Sequence, residues 1–164
     1  IPNADEFQEE MVSVFGREPG EPMPDFTGFP EILMEHVSVP GTFVDNEELN
    51  LITTSSIAFM QAKNPEARWD IRRFRPNFYV ETVDGLEGLV ENDWVGKTLR
   101  IGEVTIEVSS KTPRCGMVVR PQADLDFDKS ILRSVVKEAD QNLGVGAHCR
   151  TPGEIRVGDV VELI

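Results

Sequence analysis

Residues 98–109, T-L-R-I-G-E-V-T-I-E-V-S, decide the fold class of this chain. Apolar and polar residues alternate on both sides of Gly102-Glu103, and this period of two is typical of half-buried strands. A glycine followed by a polar residue between two such runs favours a tight turn. We therefore predict a hairpin made of Thr98–Ile101 and Val104–Ser109.

Further strand patterns flank this hairpin, separated by Gly, Asp and Asn. They are Phe78–Thr82, Gly116–Arg120 and a closing hairpin over Ile155–Ile164 that turns at Gly158-Asp159. One amphipathic helix between them opens near Asp128, carries apolar residues from Ile131 to Leu143 and is expected to stop at Gly144. Short strands around a single helix predict a mainly β protein, a small closed or nearly closed β-barrel with flanking helices.

The first 44 residues have a different sequence pattern from the rest of the chain. A helix is predicted over Asp5–Phe15, a proline- and glycine-rich loop over 18–30, and a short strand over Ile32–Val39. We therefore expect two parts: residues 1–44 as a helix and wrapping segment, and residues 45–164 as the β-barrel domain. Within the second part, Thr54 or Ser55 is expected to cap a helix that ends before Asn64-Pro65.

The 164 residues carry a formal net charge of −13 from 16 basic and 29 acidic residues, which argues against nucleic acid or an anionic membrane as partner. Residues 1–62 hold 12 acids and one base, Arg17, so the other 15 bases lie in residues 63–164. Two basic clusters are candidates for a small anion site, with surface salt bridges as the alternative. The clusters are Arg68, Arg72, Arg73 and Arg75, and Lys111, Arg114 and Arg120.

Two cysteines, Cys115 and Cys149, are too few for a disulfide scaffold. A reducing, cytoplasmic location is the expectation. No apolar run reaches the length that crosses a bilayer, and Ile1–Glu10 is acidic where a signal peptide would be basic.

The segment Arg73-Phe74-Arg75-Pro76-Asn77 is the first candidate site. Pro76 disfavours a helical Arg75, so we expect an extended stretch with Arg73, Arg75 and Asn77 on one face. Two guanidinium groups and an amide suit phosphate or a heterocycle. The alternative is a pair of arginines bridging Asp70, Asp93 or Glu81 at the rim of the barrel.

The segment Lys111-Thr112-Pro113-Arg114-Cys115-Gly116 is the second candidate site. Lys111 and Arg114 would favour a thiolate at Cys115, the form that attacks or binds a soft metal. The alternative is a buried, unreactive cysteine. Cys149 is assigned to packing. His148 is read as a strand histidine that faces solvent or core, with a proton donor near a site as the alternative. Zinc spacings, a phosphate loop and a serine hydrolase elbow are all absent from the sequence.

Several motifs, taken in order, resemble the MOSC domain, the C-terminal module of molybdenum cofactor sulfurases and the core of the amidoxime-reducing component family. They are L-I-T-T-S-S-I at 51–57, R-F-R-P-N-F at 73–78, D-W at 93–94, L-R-I-G at 99–102, P-R-C at 113–115 and G-E-I-R-V-G-D-V-V at 153–161. The resemblance covers about residues 45–164 and implies a closed β-barrel with flanking helices.

The resemblance also implies a site. Cys115 would carry a sulfur or ligate the molybdenum of a molybdopterin cofactor, a role that suits a soft thiolate. Arg75 and Asn77 would bind the cofactor. The weaker cofactor-binding candidates are Arg73, Arg114, Thr54, Ser55 and Ser56.

The implied reaction is the two-electron reduction of an N-hydroxylated compound, with electrons from a separate reductase or ferredoxin-like protein, because the chain has no iron–sulfur or flavin motif. One alternative is a sulfur carrier that holds a persulfide on Cys115 and receives it from a sulfur donor. Another is a binding module without chemistry. Larger relatives supply basic residues from a preceding domain, whereas this chain has only Arg17 before Lys63.

Overall fold

The structure is a computed structural model that describes Val12, residues 15–18 and 20–22, and residues 47–164. The predicted helix over Asp5–Phe15 and the loop over 18–30 fall mostly outside the described residues, and the strand over Ile32–Val39 falls wholly outside them.

Six strands of the described chain form one sheet in the order β2-β1-β5-β4-β3-β6. The strands are β1 (Leu49–Thr53), β2 (Phe78–Val80), β3 (Thr98–Ile101), β4 (Val104–Pro113), β5 (Asn142–Thr151) and β6 (Val161–Leu163). Neighbouring strands run antiparallel except β1 and β2, which are parallel.

The predicted hairpin is confirmed. Ile101 pairs with Val104 across the turn, and Leu99 pairs with Ile106. Alternate residues of both strands are buried, as the period of two requires. Gly102 has φ +56°, and a Cβ there would lie 2.6 Å from an oxygen of Asp159. Strand β4 runs to Pro113, beyond the predicted end at Ser109, because its polar end pairs with β5 through bulges.

The sheet curls into an open half-barrel, so the prediction of a closed barrel is wrong. Among the described strands, β2 and β6 lie at opposite edges and have only three residues each. Of the predicted closing hairpin, one strand, β6, joins the described sheet. Before it lies a tight turn in which the Asp159 side chain accepts a hydrogen bond from the Arg156 amide (2.8 Å). Ile155 packs against the core without joining the sheet.

Two α-helices pack on the described part of the sheet, α1 (Thr54–Lys63) and α2 (Lys129–Ala139). Helix α1 ends before the Asn64-Pro65 break as predicted, but its cap is Thr53, one residue before the predicted caps. Helix α2 is capped by Asp128, as predicted. Among the described residues, neither helix is long and apolar enough to span a membrane.

Helix α2 ends at Ala139, and the residue that caps it, Asp140, adopts a left-handed conformation. The predicted stop at Gly144 is therefore wrong. Gly144 lies inside β5 with φ +87°. A Cβ there would approach within 2.6 Å of the Ile52 side chain and 2.7 Å of the Leu51 carbonyl. This glycine therefore permits the close approach of β1 and β5.

Both faces of the curled sheet are buried. Ile52 and Leu143 face α1 and α2 in one apolar cluster, whereas their neighbours Leu51 and Val145 lie in a second cluster inside the curl. This alternation fixes the register of β1 against β5, because a slip by one residue would exchange the two clusters.

Asp128→Ala should reduce the free energy of unfolding by about 1 kcal/mol, because the Asp128 carboxylate accepts the Ser130 amide at the start of α2 (2.9 Å). Urea denaturation measures this loss. Asp126→Ala is the matched control, since the Asp126 side chain is exposed and makes no hydrogen bond within the described chain. Equal losses in both variants would contradict the capping role.

Candidate functional site

Cys115 lies just after β4, at the cap position of a 3₁₀ turn over Gly116–Val119. Its thiol is free and partly exposed. The strand predicted over Gly116–Arg120 is therefore wrong, since the Val118 amide donates to the Cys115 carbonyl (3.3 Å) and closes a turn. Val118 and Val119 are adjacent and both buried, so their apolar character imitates a strand pattern.

Arg114 is buried beneath this turn, with 7% of its surface exposed. Its guanidinium donates to the carbonyls of Leu143 (2.7 Å) and Phe74 (3.2 Å) and to the side-chain oxygen of Asn50 (3.1 Å), and it stacks over the Phe74 ring. Burial lowers the pKa of Arg114 to about 10, because the charged form is desolvated, and the charges of Cys115 and Glu91 partly oppose this shift.

Arg73 is also buried, with 3% of its surface exposed, and belongs to a 3₁₀ turn over Ile71–Arg73. Its guanidinium donates to the carbonyls of Arg68 (3.3 Å), Val118 (3.3 Å) and Asp126 (2.9 Å). Arg73 thus fastens the segment around residue 73 to the turn that follows Cys115.

Arg75 and Asn77 do not share a face with Arg73 as predicted. Arg75 is exposed and has φ 50°, the left-handed region, so the expected extended backbone is wrong at this residue. Pro76 excludes a right-handed helical Arg75, and the chain takes the left-handed alternative while its amide donates to the Ile71 carbonyl (3.3 Å). Asn77 is exposed, and its side-chain oxygen accepts the Asn50 amide (2.8 Å).

Asn50 connects the two predicted segments and was missed by the sequence analysis. Its side-chain amide donates to the Phe74 carbonyl (3.1 Å), its side-chain oxygen accepts from Arg114, and its backbone pairs with Asn77. An asparagine among the apolar residues of β1 is the only sequence signal of this role.

The hydroxyl groups of residues 54–56 are engaged within the protein. Thr54 pairs with the Thr82 hydroxyl (3.0 Å), and Ser55 pairs with the Thr53 hydroxyl (3.0 Å). The Ser56 hydroxyl donates to the carboxylate of Glu91 (2.6 Å).

Glu91 is fully buried, at 0% exposure, and also accepts from the Thr53 hydroxyl (2.7 Å). Its other carboxylate oxygen has no partner in the described chain. The Glu91 side chain thus joins the cap residue Thr53 to Ser56 in the first turn of α1. The sequence signal was an acid within the apolar run G-L-V-E, which the analysis passed over.

A cleft of about 480 Å³ opens beside Cys115. Three stretches line this Cys115 cleft: residues 16–18, 115–120 and 127–133. Among the described residues, its walls hold four basic residues and one acidic residue, the reverse of the balance in the whole chain. The basic residues are Arg17, Arg120, Lys129 and Arg133, and the acidic residue is Glu18.

The segment with Arg17 is fastened to the rest of the cleft. Arg17 donates to the side chain of Gln141, and Arg133 donates to the Gly16 carbonyl (2.9 Å) and to Glu21 (2.7 Å). This guanidinium lowers the pKa of Glu21 to about 2 by hydrogen bonding to its charged form. Gln141 in turn donates to the Arg114 carbonyl (3.0 Å), so Arg17 is connected to the backbone that carries Cys115.

The remaining candidates lie elsewhere. Arg68 and Arg72 form surface ion pairs with Asp70 and Asp124, so this part of the basic cluster follows the salt-bridge alternative. Cys149 is exposed on β5, so its assignment to packing is wrong. Its neighbour His148 contacts Glu47 (2.8 Å) at a half-buried strand position.

A model of the MOSC domain family matches residues 40–162, which is more than half of the chain. No match was found among curated proteins.

Solved structures show the same fold at low identity. YiiM from Geobacillus stearothermophilus is 13% identical with a TM-score of 0.52, over 72% of this chain and 54% of that protein. A hypothetical protein is 17% identical with a TM-score of 0.53, over 71% and 51%. YiiM from Escherichia coli is 17% identical with a TM-score of 0.50, over 72% and 54%. The matched region of this chain spans about half the length of these proteins.

Arg114→Met should reduce the free energy of unfolding by at least about 3 kcal/mol, because the Leu143 carbonyl and the Asn50 side-chain oxygen lose their donor and the Phe74 carbonyl loses one of its two donors. Urea denaturation measures the loss. Arg75→Met removes an exposed guanidinium from the neighbouring segment and should change stability by less than about 0.5 kcal/mol. A small effect of Arg114→Met would show that the buried contacts of Arg114 are not needed for stability.

Proposed function

The chain belongs to the MOSC domain family, and we propose that it binds a molybdenum cofactor through Cys115 and reduces N-hydroxylated compounds. The observation that carries this proposal is a free, partly exposed thiol held on a turn that Arg73 and Arg114 anchor. The family is associated with binding of the molybdenum cofactor, and the P-R-C motif of this chain supplies the thiol.

The chemistry of the available groups fits that cofactor. Molybdenum held by a dithiolene is a soft centre, and a thiolate is the ligand that such a centre favours. The cofactor's phosphate is an anion, which the exposed guanidinium of Arg75 would stabilise. When bound, the metal would accept and donate the two electrons of the reaction.

The cofactor-binding candidates divide into two groups. Arg75 has no hydrogen bond or ion pair to its guanidinium in the described chain, and the side-chain NH₂ of Asn77 is likewise free. These two side chains would hold the cofactor. Arg73, Arg114, Ser55 and Ser56 are engaged with the protein and would act by fixing the site, while Thr54 is paired with Thr82.

Reduction of an N-hydroxylated compound breaks the N–O bond, consumes two electrons and two protons, and releases the oxygen as water. The electrons require a separate reductase or ferredoxin-like protein, because two distant cysteines cannot hold an iron–sulfur cluster.

Sulfur carriage is a second candidate function. It is favoured because most of the side chains predicted to bind the cofactor make hydrogen bonds within the protein. A carrier needs the accessible thiol of Cys115 and few cofactor contacts. A donor protein that carries a persulfide would transfer its outer sulfur to the Cys115 thiolate, so that the donor's S–S bond breaks, the donor leaves as a thiolate and Cys115 becomes the persulfide.

The first experiment measures molybdenum and pterin per chain after expression in a host that makes the cofactor. We expect stoichiometric metal in the native protein and in Cys149→Ser, and none in Cys115→Ser, because only Cys115 lies at the cleft. Cys149→Ser is the matched control, since it removes the other free thiol of the chain.

Metal retained in Cys115→Ser would contradict the ligand assignment. Absence of metal from the native protein would contradict cofactor binding, and a cyanide-labile sulfur lost in Cys115→Ser would then establish sulfur carriage.

A further inference from the structure

We propose that the Cys115 cleft is a substrate pocket and that its substrate is an organic anion with an apolar body. The inference rests on the proposed function, in which Cys115 marks the reacting centre, and it specifies which N-hydroxylated compounds the site would take. A carboxylate or phosphate on the substrate would face the basic wall of the cleft.

Among the described residues that line the cleft, two of the four basic side chains have no hydrogen bond or ion pair in the described chain. Arg133 is paired with Glu21 and Glu18, and Arg17 donates to Gln141. Arg120 and Lys129, in contrast, are exposed and have no side-chain hydrogen bond or ion pair in the described part of the chain. On a protein with a net charge of −13, two unpaired cations beside a thiol favour an anionic ligand.

A third cationic group of the cleft has unused hydrogen-bonding capacity. The Nε atom of Arg17 is buried and has no hydrogen-bond partner among the described residues. A buried N–H without an acceptor costs free energy. Because the other end of this guanidinium is fixed on Gln141, the position of Arg17 is set before any ligand arrives.

Apolar side chains supply the rest of the wall. Met117 is 61% exposed and Phe127 is 56% exposed, although both are large apolar residues. The buried residues Val119 and Leu132 also line the cleft. Apolar walls with a few charged groups are typical of pockets for small organic ligands, and 480 Å³ is within the usual size of such pockets.

The cleft is distinct from the residues expected to hold the cofactor. Cys115 is the only residue that belongs both to the cleft lining and to the predicted cofactor set. Arg75 and Asn77 do not line the cleft. The predicted cofactor-binding side chains and the basic wall of the cleft are therefore separate sets of residues.

The test of charge needs no cofactor. The full chain is produced in a host that makes no pterin cofactor, and Cys115 is alkylated with anionic iodoacetate or with neutral iodoacetamide. We expect the rate ratio of iodoacetate to iodoacetamide at Cys115 to fall about fivefold in the double variant Arg120→Gln, Lys129→Gln. Peptide mass spectrometry separates Cys115 from Cys149, whose ratio should not change.

Lys97→Gln is the control, because Lys97 is exposed, has no side-chain partner in the described chain and does not line the cleft. An equal fall in Lys97→Gln, or no fall in the double variant, would overturn the proposal.

A second arm separates a substrate anion from the cofactor's own phosphate. In the cofactor-loaded protein, the double variant should keep its pterin content and show a KM raised about fivefold for 4-carboxybenzamidoxime, with little change for benzamidoxime. Loss of pterin from the double variant would assign Arg120 and Lys129 to the cofactor and overturn the substrate assignment. If the native protein binds no cofactor, the proposed function fails while the alkylation ratio still decides the charge of the cleft.

Discussion

Two buried arginines hold the site together, because each belongs to one of the segments 73–77 and 114–118 and donates a hydrogen bond to the other. Arg73 reaches from the first segment to the Val118 carbonyl, and Arg114 reaches from the second to the Phe74 carbonyl. Their six acceptors are neutral oxygen atoms. Burying a guanidinium costs several kcal/mol unless its donors are satisfied, so the backbone on both sides must keep its position. The thiol of Cys115 therefore lies between two anchored points.

The rest of the fold serves this arrangement. Gly144 lets β1 and β5 approach closely, which brings the Leu143 carbonyl and Asn50 within reach of Arg114. Gln141 joins the backbone of Arg114 to Arg17, so the cleft acquires a basic residue from an otherwise acidic stretch of chain. The open half-barrel thus carries a preorganised thiol and a cleft whose charge opposes that of the protein.

Sequence reasoning succeeded where the controlling interactions are local. The β3–β4 hairpin follows from alternation and a turn glycine, and the start of α2 follows from Asp128. It failed where contacts between residues distant in sequence determine the local structure. Gly144 resembles a helix stop until β1 is packed against it, and Arg73 resembles a ligand-binding residue until the Val118 carbonyl is placed beside it. The basic cleft could not be predicted, because its walls come from three stretches that are distant in sequence.

Hydrogen–deuterium exchange of Arg73→Met tests the central claim most directly. If the two buried arginines hold the Cys115 turn, the amides of Val118 and Arg120 should exchange faster in the variant, although they lie far from residue 73 in sequence. Amides of the β3–β4 hairpin, such as that of Ile106, should exchange as in the native protein. Unchanged protection at Val118 and Arg120, or an equal loss over the whole sheet, would contradict the account.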